Sequence, residues 1–99
     1  MKKTFLLTHP KIKTARLIEA IRRDVKKYLK REKRKSLPDG ADYWDFDCKF
    51  GPTEDKAEMI LVSEISKCIT EVEVENLKSF YLEILAKPGF KKNFTKSKI

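Results

Sequence analysis

Apolar and polar residues alternate along the chain with two different periods, and the switches between them mark out six elements. Phe5-Leu6-Leu7 lies within a predicted first strand, Lys3–Thr8, and Pro10 both pushes His9 out of helical geometry and, having no N–H, stops that strand. Neither Gly nor Pro occurs from Ala15 to about Lys35. Placed 100° apart, Ile18, Ile21, Val25, Tyr28 and Leu29 fall on one side, predicting a long amphipathic helix with Thr14 as its N-cap. Ser36-Leu37-Pro38-Asp39-Gly40 reads as its stop and turn. Tyr43–Phe50 then changes period: Trp44, Phe46, Cys48 and Phe50 alternate with Tyr43, Asp45, Asp47 and Lys49, as in a half-buried strand.

After a turn at Gly51–Asp55, Lys56–Val62 predicts a third strand, forming a hairpin with the second. Ser63 is the expected N-cap of a second helix that gathers Ile65, Cys68, Ile69 and Val72 on one face, although Thr70–Glu75 also fits a strand's alternation. Asn76 suits the left-handed residue that ends such a helix. Lys78–Ala86 is the expected last strand, ended by Pro88-Gly89. The order is βαββαβ, and the connection rules favour a ferredoxin-like α+β two-layer sandwich with strand order 4-1-3-2. In that arrangement both helices cover one face of the antiparallel sheet. The inward set is Trp44, Phe46, Phe50, Phe80, Leu82, Ile84, Phe5 and Leu7. The open face carries Leu6, Tyr43, Asp45, Asp47, Lys49, Tyr81, Glu83 and Leu85. Residues 1–89 form the expected single domain and 90–99 a basic flexible tail.

Charge changes this picture more than bulk composition does. The 99 residues carry 23 Lys plus Arg and 15 Asp plus Glu, for a net charge of +8. Residues 1–35 hold 14 basic and 3 acidic side chains, residues 36–86 hold 4 and 12, and residues 87–99 hold 5 and none. A chain so polarised is a candidate for binding a polyanion. Arg16, Arg23, Lys27, Lys30 and Arg34 fall within about 60° of one another opposite the apolar stripe, flanked by Lys26 and Arg31. The ridge is roughly 27 Å long at the helical rise. Arg and Lys bind phosphates by charge-assisted hydrogen bonds and by releasing counterions, so RNA or another nucleic acid is the leading partner.

Other constellations point less far. Asp45 and Asp47 share one side of a strand, and with His9 they form a candidate ligand or metal set. No Gly-rich phosphate loop accompanies them, and one His with two distant Cys lacks zinc spacing. No catalytic residue, cofactor or metal is assigned. Tyr43 and Tyr81 would lie on edge strands, unlike the central aromatics of single-strand RNA platforms. The alternative reading is a homodimer docking through Leu6, Tyr81 and Leu85 of the open face, with or without a small ligand. No apolar run is long enough to span a membrane, and two Cys make no disulfide scaffold, so the expected location is the cytoplasm.

Four segments carry a family likeness: Thr8-His9-Pro10-Lys11, Tyr43-Trp44-Asp45-Phe46-Asp47-Cys48-Lys49-Phe50-Gly51, Ser63-Glu64-Ile65, and Ser79 through Ala86-Lys87-Pro88-Gly89. Over about residues 1–90 the chain resembles a family of small bacterial proteins classed as a domain of unknown function. The resemblance implies a bacterial cytosolic protein and brings no activity or site residue with it.

Overall fold

A computed structural model of the chain describes residues 1–91. It contains β1 (Lys2–Leu6), α1 (Thr14–Lys33), β2 (Tyr43–Gly51), β3 (Glu58–Ile60), α2 (Ile65–Val74) and β4 (Ser79–Gly89). The expected tail at 90–99 lies outside the described residues except for Phe90 and Lys91.

The α+β class and the four-stranded antiparallel sheet match expectation, but the strand order does not. The order is β1-β4-β2-β3 rather than the ferredoxin-like 4-1-3-2, so β2 and β4 form the centre and β1 is an edge. Both orders leave one strand between β1 and β2 and one between β3 and β4, so the same connection rules admit either. What selects the observed one is burial. Phe80, Tyr81, Leu82 and Ile84 of β4 are all buried, as befits a central strand, whereas β1 exposes Lys2, Lys3 and Thr4.

The β2–β4 ladder runs without interruption from Tyr43 opposite Gly89 to Gly51 opposite Tyr81. β1 pairs only with Leu82 and its neighbours, from Ser79 to Glu83, and β3 only with Cys48–Phe50. The far end, Tyr43–Asp47 with Leu85–Gly89, is therefore a two-stranded ribbon overhanging the sheet. β4 continues through Pro88 instead of stopping before it. Ile84 N–H donates to Met1 O, so even-numbered residues of β4 turn their backbone groups away from β2. Pro88 belongs to that outward series, where a missing N–H breaks no ladder bond.

α1 and α2 cover one sheet face. Ile18, Ile21 and Val25 meet Ile65, Ile69 and Val72 above Phe5, Phe46, Cys48, Phe80, Leu82 and Ile84. The Phe80 ring lies 5.3 Å, centroid to centroid, from both Phe5 and Phe50, linking three strands through aromatic contacts. Trp44 is half-buried, and its Nε1–H donates to Lys35 O at 2.8 Å, tying the overhang to the C-terminal end of α1.

The caps depart from expectation. Lys13 precedes α1 as its N-cap, and the Thr14 hydroxyl instead donates to Leu7 O, joining the exit of β1 to the helix. A short 3-10 turn at Val62–Glu64 leads into α2, so Glu64 and not the expected Ser63 is the N-cap of α2, and the Glu64 carboxylate reaches back to accept Leu61 N–H. A second such turn at Glu54–Lys56, with the first, trims the expected strand Lys56–Val62 to three residues. Asn76 is the expected left-handed residue, with φ 54°. Its N–H bonds Glu73 O and Leu77 N–H bonds Val72 O, which closes α2 in a Schellman motif.

Candidate nucleic-acid interface

The apolar stripe of α1 docks on the sheet, so the opposite side must face solvent. Arg16, Arg23, Lys27, Lys30 and Arg34 are all exposed, as are the flanking Lys26 and Arg31. Glu19, Asp24 and Glu32 share the helix, but among the described residues no carboxylate lies within ion-pair distance of the five cations. The ion pairs found there are Lys35–Glu32, 2.8 Å, and Lys87–Asp47, 2.7 Å. The ridge therefore presents its charge outward, with Lys30, Arg31 and Lys33 in the last turn, where the helix dipole favours cations.

The remaining predicted site residues do not converge. Leu6, at the His9 end of the sheet, pairs with Ser79 at the start of β4, while Asp45 pairs with Lys87 eight positions further along. At strand rise that separates the two ends by roughly 25 Å. His9 shapes its own loop, its Nδ1 accepting backbone N–H groups of Lys11 at 3.0 Å and Ile12 at 3.1 Å. Asp45 Oδ1 accepts Phe46 N–H at 2.8 Å, and Asp47 is held by Lys87. The described residues contain no cluster of three or more His, Cys, Asp or Glu side chains suited to a metal. Cys48 is fully buried, and burial, with help from Asp47 and Asp45, pushes its thiol up to about 11. The half-buried Cys68 is also shifted upward, chiefly by desolvation. Both shifts oppose formation of the thiolate a nucleophile needs.

The open sheet face differs from expectation at Tyr81. Tyr43 and Tyr81 lie on central strands, yet Tyr81 is only 3% exposed. The turn after β2 folds over this end: a Cβ on Gly51, the partner of Tyr81, would sit 2.6 Å from Ala57 Cα. The Tyr81 hydroxyl donates to Glu83 Oε1 at 2.7 Å, which raises its pKa to about 12, with burial adding to the shift. Leu6 and Leu85 are exposed but stand roughly 20 Å apart along the sheet, with the Lys2–Glu83–Lys49 row between them. The three residues expected to form a dimer face thus make no continuous apolar patch.

One feature escaped the sequence pattern. Between α1 and the start of α2 lies a groove of about 540 Å³, floored by Val25, Ile65 and Ile69 and walled by Arg22, Arg23 and Lys26. Arg22 is fixed across it, donating to Ser66 O at 3.2 Å, Ser66 Oγ at 2.8 Å and Thr70 Oγ1 at 2.6 Å. The available signal was an arginine beside Leu29 on the border of the apolar stripe. Its partners, 44 to 48 residues away, could not be read from helical spacing.

Among the described residues no helix is long and apolar enough to cross a membrane. No curated protein and no solved structure matches the chain. A family model does match over residues 1–95, and the chain belongs to that family, described as a family of unknown function (DUF6172).

Proposed function

We propose that this protein is a non-enzymatic module that binds a polyanion, RNA above all, along the exposed face of α1. The observation that carries this reading is the ridge itself: five cations, solvent-exposed and without a carboxylate partner among the described residues. Like charges held together on a rigid helix repel one another, and a phosphate backbone relieves that repulsion while releasing its own counterions. Five phosphate contacts on a duplex correspond to a log–log salt slope of about −4, or roughly a 250-fold loss of affinity between 50 and 200 mM salt. The test is a titration with mixed-sequence RNA at those two salt concentrations, repeated with Arg23, Lys27 and Lys30 all changed to Glu. The steep salt dependence is expected in the parent chain and loss of binding in the triple variant. Equal affinity of the two proteins would overturn the reading.

A further inference from the structure

We infer that the groove between α1 and α2 receives an unpaired base of single-stranded RNA whose phosphates lie on the ridge, so that the protein prefers single strands to duplexes. This rests on the RNA reading above and adds to it a strand class and a base site.

Continuity comes first. Arg23 belongs to the ridge and also lines the groove, and Lys26 beside it does the same from the flank. A backbone following the ridge therefore passes the groove mouth with its phosphates already neutralised. The groove's size and make-up come second. About 540 Å³ falls within the range of small-ligand sites, roughly 300–1,000 Å³, which typically combine an apolar floor with a few placed polar groups. Here Val25, Ile65 and Ile69 supply the floor, and the Ser63 hydroxyl and Glu19 carboxylate supply acceptors at the lining.

The third observation is Arg22. Its guanidinium is already held by Ser66 and Thr70, so its planar face is positioned without further loss of side-chain freedom. Unstacked RNA bases stack on arginine planes as well as on aromatic rings. An acceptor such as Glu19 can meet the exocyclic amino group of a base, and Arg23 or Lys26 its flanking phosphate. A paired base in an A-form duplex is already stacked and cannot enter such a site, so only the ridge contacts remain for duplex RNA.

The experiment is fluorescence anisotropy with one labelled mixed-sequence RNA, alone and annealed to its complement, against the parent protein, Ser63→Leu and the triple Glu variant. Ser63 is exposed and lines the groove, so Ser63→Leu obstructs the site with a bulky side chain that has no stacking face, without removing charge or core packing, and a thermal melt checks that it folds. Arg22→Lys removes the guanidinium plane by a second route and keeps the charge. The parent is expected to bind the single strand about tenfold more tightly than the duplex, the effect of one stacked base. Ser63→Leu and Arg22→Lys should each abolish that difference while leaving duplex affinity unchanged. Equal binding of the two RNA forms by the parent, or an undiminished single-strand preference in both variants, would overturn the base site while leaving ridge binding intact. Absence of binding to either form would overturn both readings.

Discussion

Gly51 and Gly89 close the two ends of the central ladder, but a methyl group would meet different neighbours at each. At Gly51 it would run into backbone, Ala57 Cα at 2.6 Å and Lys56 O at 2.8 Å, where the turn presses on the sheet. At Gly89 it would meet the far end of the Tyr43 ring, an exposed side chain that can swing aside. Gly51→Ala is therefore expected to lower stability by about 1–3 kcal/mol, as overpacking does. Gly89→Ala should cost less than about 1 kcal/mol. Urea midpoints of the two variants check the difference. At this scale the ridge was legible from sequence because exposure follows from angle alone: a residue opposite the buried stripe of a docked helix has nowhere to go but solvent. Tyr81 was not legible. Its side of the strand was read correctly, but the turn that covers it is a tertiary event that alternation does not encode.

Among the elements, α2 owes its termination to one residue. Asn76 holds φ at 54°, a conformation that Gly adopts freely and Asn tolerates, but that a β-branched side chain resists. Asn76→Gly is expected to be neutral within about 0.5 kcal/mol, and Asn76→Val to destabilise by about 1–2 kcal/mol. Thermal melts followed by circular dichroism separate the two outcomes. The residue was identifiable because a sequence-local feature, an Asn just after an apolar helical face, announces it. Strand order had no such local mark. The period-2 pattern assigns each side chain to a face, yet the lateral sequence of strands depends on which strand needs cover on both sides. The hint was compositional: Phe80-Tyr81-Leu82 is bulky at consecutive positions, while Lys2-Lys3-Thr4 befits an edge. The shortening of β3 has a similar origin, since both flanking segments curl into 3-10 turns.

For the molecule as a whole, the two layers divide its chemistry. The helical layer turns the cationic ridge outward, and the open sheet face mixes Asp45, Asp47 and Glu83 with Lys49 and Lys87. Global stability should respond to alkali. The Cys48 thiol ordinarily ionises at 9.0 and is pushed up to about 11 by burial, and the Tyr81 hydroxyl rises from 10.0 to about 12, mainly through its bond to Glu83. Both groups favour the fold in their protonated form, so their contribution is fully present below pH 9. It is lost as pH climbs through the folded values near 11 and 12. Urea midpoints at constant ionic strength are expected to fall from pH 9 to 11. The decline should be shallower in Cys48→Ala, whatever that variant's absolute stability.

The overhanging ribbon has a consequence for how copies of the chain meet. Its two flanks are bare backbone, the kind of rim on which a stray strand could nucleate a fibril. On the β4 flank, Pro88 has no amide hydrogen to offer. On the β2 flank, the Phe46 amide is already taken by the carboxylate of the residue before it. Crowded molecules colliding at that end would find each rim short of one donor, which weakens edge-to-edge pairing where the chain leaves two main-chain rims open to water.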